Sequence, residues 1–252
     1  MAGEPRYTIL VYLKESQRPI AALLFILPIL LVYEAGVQIM AAGRSQVVVN
    51  TADAILKRAL EALGIYGPVL SALCIVVTLL LLQGLRQASW RVHGGTFLGM
   101  VLESVILSLP LFALDRAVQY ALGGGAQGAL AAGQAGLGLV SALVLSLGAG
   151  VYEEFLFRLV LLGGLLAVLG RKDEEGERPA WVQPACVLVS ALLFAGFHHL
   201  PPLGDEWRLG LFAFRTVAGV YFAWVYLARG LGLAVGCHAC YDVLVVGLRV
   251  WG

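Results

Sequence analysis

Charge is what this chain has least of. Its 252 residues include 17 Lys or Arg and 16 Asp or Glu, so 13% of positions are charged and the formal net charge is +1. A soluble domain carries about 25% charged residues, and a chain this poor in them cannot cover a water-exposed surface. The near-balance of signs also leaves no electrostatic footprint for nucleic acid as a partner. Cysteine is scarce too: Cys74, Cys186, Cys237 and Cys240 are the four present, which excludes the disulfide framework of a small secreted scaffold. The polar composition of disordered and collagen-like chains is missing as well. What fills the sequence instead is apolar, with 60% hydrophobic residues and a mean hydropathy of +0.87. The chain reads as a multi-spanning membrane protein.

A membrane helix needs about 20 mostly apolar residues. Seven windows meet that need: 20–42, 68–85, 96–122, 137–170, 181–200, 209–228 and 231–250. The fourth has 34 residues, which at 1.5 Å each make about 51 Å, longer than the ~30 Å hydrocarbon core. Gly148 and Gly150 are its expected break points. The expected fold is all-α: a polytopic membrane protein with seven or eight transmembrane helices forming one integrated membrane domain. Within it, residues 1–135 hold N-terminal helices with an interfacial segment, and 136–252 hold a helical core.

The connecting segments carry their own signals. The first 19 residues, with Arg6, Lys14 and Arg18, are too polar to read as a cleavable signal peptide and suit an interfacial lead-in. Val47–Leu63 opens with a capping pair, Asn50 and Thr51, and then sets Ile55, Leu56, Ala59, Leu60 and Leu63 on one face. That pattern predicts a short interfacial helix. Gly123–Gly136 is an uncharged connector, and Arg171–Arg178 is the one dense charge run, a solvated loop. With the N-terminus in the cytoplasm, inside segments carry nine Lys or Arg and outside segments five, which favours that orientation.

Ionisable groups inside a span are costly, so each is a functional candidate. The densest set is Tyr152-Glu153-Glu154-Phe155-Leu156-Phe157-Arg158. On a helix Glu154 and Arg158 are i,i+4 partners, which leaves Glu153 as the free acid, suited to general acid–base work in apolar surroundings. The bland alternative is a structural ion cluster. Phe194-Ala195-Gly196-Phe197-His198-His199 closes the fifth window; His198 suits a proton shuttle or ligand, while His199 faces elsewhere. Cys237-His238-Ala239-Cys240-Tyr241-Asp242 lies in the last window, where Asp242, at i,i+4, can hold the His238 tautomer. The C-x-x-C spacing has no second pair, so packing is favoured over metal or redox use. Glu153 lies 18 residues before Arg171, and His198 lies 17 after Trp181. Both therefore sit about 25–27 Å from the charged loop, at one level on antiparallel helices. Glu34, Glu103, Asp115, Arg116 and Arg215 lie in or near spans without a motif, and Arg215 suits a structural ion pair.

Glu153-Glu154-x-x-x-Arg158, Phe194-x-x-x-His198 and His238-x-x-x-Asp242, in that order on separate apolar helices, resemble the CPBP family. These are the CAAX prenyl endopeptidases and bacteriocin-processing proteins, also called Abi, and the likeness covers about residues 140–250. The resemblance implies a metal-free, cofactor-free glutamic intramembrane protease, and the Ala-, Gly- and Leu-rich composition suits a bacterial inner membrane. In such a protease Glu153 activates water with help from His198, Glu154 and Arg158 support it, and His238 with position 242 stabilises the oxyanion. Two positions depart from the pattern: Leu159 stands where glycine often follows the arginine, and Asp242 stands where Asn is frequent. An ionised Asp cannot donate to an oxyanion, so Asp242 is either protonated or orients His238. The sequence contains no G-x-S-x-G and no H-E-x-x-H, the usual signatures of serine hydrolases and zincins. The expected substrate is a membrane-embedded or membrane-anchored protein tail or peptide; the compact size is similar to the myxosortase-like branch, which removes C-terminal sorting tails. A prenylated-protein endopeptidase, a non-catalytic protein of the bacteriocin-immunity type and a proton-coupled transporter are the competing readings.

Overall fold

In hydrocarbon every backbone N–H and C=O must find its partner within the protein, which leaves helices as the economical way to cross. The computed structural model describes residues 8–42, 49–121, 138–170, 179–200 and 204–251. The expected connector, the charged loop and the Pro201-Pro202 pair fall outside the described residues. Among those described, the regular structure is all helix. In chain order the elements are α1 (Ile9–Glu15), α2 (Pro19–Ala41), α3 (Thr51–Ala62), α4 (Leu70–Leu85), α5 (Gly94–Ala121), α6 (Leu139–Glu154), a π-helical segment (Phe155–Leu162), α7 (Gly163–Leu169), α8 (Val182–Phe197), α9 (Leu209–Arg229) and α10 (Leu231–Trp251).

Four of these are long and apolar enough to cross a membrane: Pro19–Ala41, Gly94–Val118, Leu209–Arg229 and Leu231–Leu248. α4 and α8 are shorter apolar helices. α6, the π segment and α7 run on without a gap, from Leu139 to Leu169. Each of the seven apolar windows thus becomes one helical rod, and the protein is a polytopic, all-helical membrane protein. The expected break at Gly148 and Gly150 is not made, because these glycines serve close packing. A Cβ on Gly148 would lie 2.2 Å from the Tyr33 ring, and one on Gly150 would lie 2.9 Å from the Ala239 backbone nitrogen. The long rod is accommodated by tilt or by reaching past the hydrocarbon.

Burial sorts the helices into centre and rim. In α10, 72% of the spanning window is buried within the protein, against 22% in α5. α10 is therefore the central helix, flanked by α6, α5, α9 and α2, while α5 turns Leu98, Val101, Leu102, Val105 and Ile106 outward, where lipid covers them. The short helix expected within Val47–Leu63 forms as α3, with Asn50 as its N-cap accepting the Ala52 N–H at 2.8 Å. Its apolar face is only partly used: Ile55 and Leu56 pack on the core, whereas Leu63 is exposed. At the opposite end of the chain's fold, α1 is pinned by Glu15. Burial pushes that carboxyl up, but the His93 N–H (3.1 Å) and the Thr96 hydroxyl (2.8 Å) donate to it and hold it below the usual carboxylate range.

Two outcomes follow from this packing. Gly148→Ala should destabilise the protein by about 1–3 kcal/mol through overpacking against Tyr33. Gly164→Ala, where a Cβ meets nothing within 4 Å, should be neutral or stabilise by up to about 1 kcal/mol; thermal unfolding in detergent reads both. Reporter fusions placed in 123–136 and in 171–180 should land on opposite sides of the membrane, since one rod joins them. The same side for both excludes a single crossing.

Candidate active site

Glu153 and Glu154 are the last residues of α6, and the helix widens directly after them into the π segment. Such widened turns recur at functional sites because they re-aim side chains and release backbone carbonyls. Here the Phe157 carbonyl accepts the Ser190 hydroxyl of α8 at 2.9 Å. That bond ties the segment carrying Arg158 to the helix at whose end His198 sits. All six residues singled out in the sequence come together, in two layers. Glu153, His198, His238 and Asp242 line a cavity of about 130 Å³. Glu154 and Arg158 lie behind them with no exposed surface.

The rear layer is an ion pair wrapped in aromatic rings. Arg158 Nε is 3.1 Å from Glu154 Oε2, as the i,i+4 spacing predicts. Its guanidinium carbon lies 4.6 Å from the Phe194 ring centre and 5.8 Å from that of Phe222, within range for cation–π attraction. The other oxygen of Glu154 faces His238 Nδ1 at 2.9 Å. This corrects one expectation. The carboxylate that fixes the His238 ring is chiefly Glu154, across the helix interface, while Asp242 Oδ2 stands 3.6 Å from Nε2. Phe222 stacks on the His238 ring, 4.4 Å between centres and 16° apart in plane.

The front layer carries the acid that the sequence left without a cation. Glu153 Oε1 accepts the Asn50 side-chain N–H at 3.0 Å. Glu153 Oε2 is buried, accepts no hydrogen bond among the described residues, and lies 3.4 Å from His198 Nε2. His198 Nδ1 is 2.8 Å from the Phe194 carbonyl. A carbonyl only accepts, so Nδ1 holds a proton and Nε2 is the nitrogen turned toward the acid. A separation of 3.4 Å lets one proton pass between the two groups. His198 is also the wettest member, with 22% of its side chain exposed against 5% for Glu153.

Other expectations resolve as follows. His199 does face elsewhere, its Nδ1 3.0 Å from the Asp205 carbonyl and its ring beside Trp207. Arg215 forms its ion pair with Asp205, and both residues line the cavity. Glu103 pairs with Arg229, and Asp115 with Arg116. All four cysteines are free, with Cys237 buried in the core, in keeping with packing. Asn50 is the site residue that sequence reasoning missed as such; its polar side chain was accounted for by the cap of α3, and nothing in the spacing links it to Glu153.

Comparison with known proteins agrees with the motif order. Residues 134–244 match the family described as "Type II CAAX prenyl endopeptidase Rce1-like", a segment that contains all six motif residues. No curated protein matches the chain, and no solved structure does. Through residues 134–244, the chain is similar to the Rce1-like type II CAAX prenyl endopeptidases, a match that supports the CPBP-family resemblance its three motifs carry.

Proposed function

We propose that the protein is a glutamic-type intramembrane endopeptidase that cleaves a membrane-associated protein tail or peptide in a bacterial inner membrane. The observation that carries this reading is the free oxygen of Glu153, buried, without a hydrogen bond, and 3.4 Å from His198 Nε2 on the wall of a cavity. Peptide hydrolysis needs a base for water, a donor for the developing oxyanion and a proton for the leaving amine. In this reading a water in the cavity, held against Glu153, attacks the scissile carbonyl carbon while Glu153 takes its proton. The carbonyl oxygen becomes an oxyanion, and His238, as an imidazolium whose Nδ1–H is given to Glu154, donates to it through Nε2–H. The tetrahedral centre then collapses, the C–N bond breaks, and the nitrogen leaves as an amine with the proton relayed through His198. The products are a new carboxyl terminus and a free amine.

Glu154 and Arg158 act from behind: Glu154 holds the His238 ring and Arg158 keeps Glu154 charged. Asp242, as a carboxylate, accepts rather than donates, so its role in this scheme is to orient His238. The favoured substrate is a C-terminal tail of an exported protein, with a prenylated tail as the other reading that the family name supports.

Co-expression with tail-bearing membrane proteins from the same genome neighbourhood, scored by size shift, tests both activity and substrate. Glu153→Gln should abolish cleavage, with a loss of about 10³-fold or more, and His198→Ala should cost about 10²–10⁴-fold, both with normal expression and folding. Wild-type cleavage by both variants would sink the mechanism. Chelation with EDTA should leave the rate of the purified active protein unchanged; a loss restored by zinc would replace the glutamic scheme with metal-assisted hydrolysis.

A further inference from the structure

We infer that Asn50, outside the family-matched segment, is a positioning residue for Glu153, and that the buried polar ring behind α3 exists to hold its amide in place. The inference rests on the reading of Glu153 as the base and adds to it the group that decides which way its carboxylate points.

The contact is one-sided in a useful way. Asn50 Nδ2 donates to Glu153 Oε1 at 3.0 Å, and Glu153 Oε2 is left as the oxygen near His198. Fixing one oxygen of a planar carboxylate fixes the other. The amide of Asn50 cannot be turned over without loss, because its Oδ1 accepts the Ala52 N–H at 2.8 Å, so Nδ2 must face the acid. The donor is also neutral. A Lys or Arg at the same place would orient the carboxylate but would compete as a cation for its charge. The other groups facing Glu153 are His198 from α8 and His238 and Asp242 from α10, with Glu154 and Arg158 next to it in its own rod. Among these groups Asn50 alone comes from outside residues 134–244.

The position of Asn50 is itself closed by a ring of polar contacts. Its backbone N–H donates to the Tyr33 hydroxyl at 3.1 Å, and that hydroxyl donates to Asp53 Oδ2 at 2.9 Å. Asp53 Oδ1 accepts the Ser71 hydroxyl at 2.6 Å, and Ser71 Oγ lies 3.3 Å from the Tyr152 hydroxyl. Tyr152 is the chain neighbour of Glu153, so the ring returns to where it began. It draws on α2, α3, α4 and α6, and Tyr152 donates outward from it to Glu34 Oε1 at 2.5 Å. Tyr33, Asp53, Ser71 and Tyr152 are all buried. A helix cap needs none of this, since Asn50 Oδ1 and one backbone N–H suffice for it.

The cap and the positioning role separate by mutation. Asp and Ser cap helices as well as Asn does, but an ionised Asp cannot donate, and the shorter Ser side chain falls short of Glu153. Asn50→Ser should therefore unfold near the wild-type temperature, whereas Asn50→Ala, which also loses the cap, and Asn50→Asp, which sets a second carboxylate against the buried Glu153, should unfold lower. All three should lose kcat by about 10- to 100-fold, the range expected for a misplaced catalytic group, with KM changed less than about twofold and Asp the worst. A readout without substrate accompanies this: the carboxyl stretching band of Glu153, assigned in infrared difference spectra against Glu153→Gln, should shift in Asn50→Ser and Asn50→Asp. An unmoved band, or wild-type kcat in both capping variants while Glu153→Gln is inactive, overturns the positioning role. Full activity in Glu153→Gln overturns instead the reading of Glu153 as the base, and the catalytic meaning of the contact falls with it, even where the band has moved.

Discussion

An arginine guanidinium with no accessible surface dictates much of what surrounds it. Arg158 is fully buried, and taking such an ion from water costs several kcal/mol even after relaxation. Part of the cost is offset by Glu154 at 3.1 Å and by the faces of Phe194 and Phe222. Each partner comes from a different place: Glu154 from the end of α6, Phe194 from α8, Phe222 from α9. Removing one partner of a buried pair strands the other charge, at roughly 3–5 kcal/mol, so these helices are held in register by an electrostatic requirement that lipid-like packing alone would not impose. Glu154 passes the constraint on to α10 through His238. The arrangement of the front layer is thus inherited from the rear one.

The sequence showed the rear and front layers because both are made of groups that hydrocarbon penalises. Glu153, Glu154, Arg158, His198, His238 and Asp242 stand out against apolar neighbours, and the i,i+4 spacing of Glu154 and Arg158 gives a pair that the structure contains. Besides the Asn50 contact, three features were not legible, each for a physical reason. Gly148 and Gly150 look like break points locally, yet their role is set by Tyr33 and Ala239, far away along the chain. Asp242 is the nearer carboxylate to His238 in sequence, but the cross-helix Glu154 is the nearer one in space. The π segment has no composition of its own; it reads as one more stretch of apolar helix.

The polar cluster around α3 differs from the one around Arg158 in how its groups are satisfied. Around Arg158 the compensation is ionic and aromatic. Around Tyr33, Asp53, Ser71 and Tyr152 it is a closed set of hydroxyls and one carboxylate, with Lys57 donating to Asp53 from outside at 2.9 Å. Such networks are strong when every member is paired and costly when one is lost. The first helices of the chain are therefore part of the polar architecture, and the matched segment by itself is an incomplete account of it.

The cavity beside Glu153 is small, about 130 Å³, while a helix with its side chains is about 10–12 Å across. In the proposed reading, a helical tail brings its backbone to these groups by giving up its own hydrogen bonds locally. In hydrocarbon each bond given up without a replacement costs several kcal/mol, but near an end of a chain, or at the water boundary, the cost is low. On that proposal the entry filter is conformational before it is chemical. Two tails with the same residues at the point of contact are sorted by how readily each one frays.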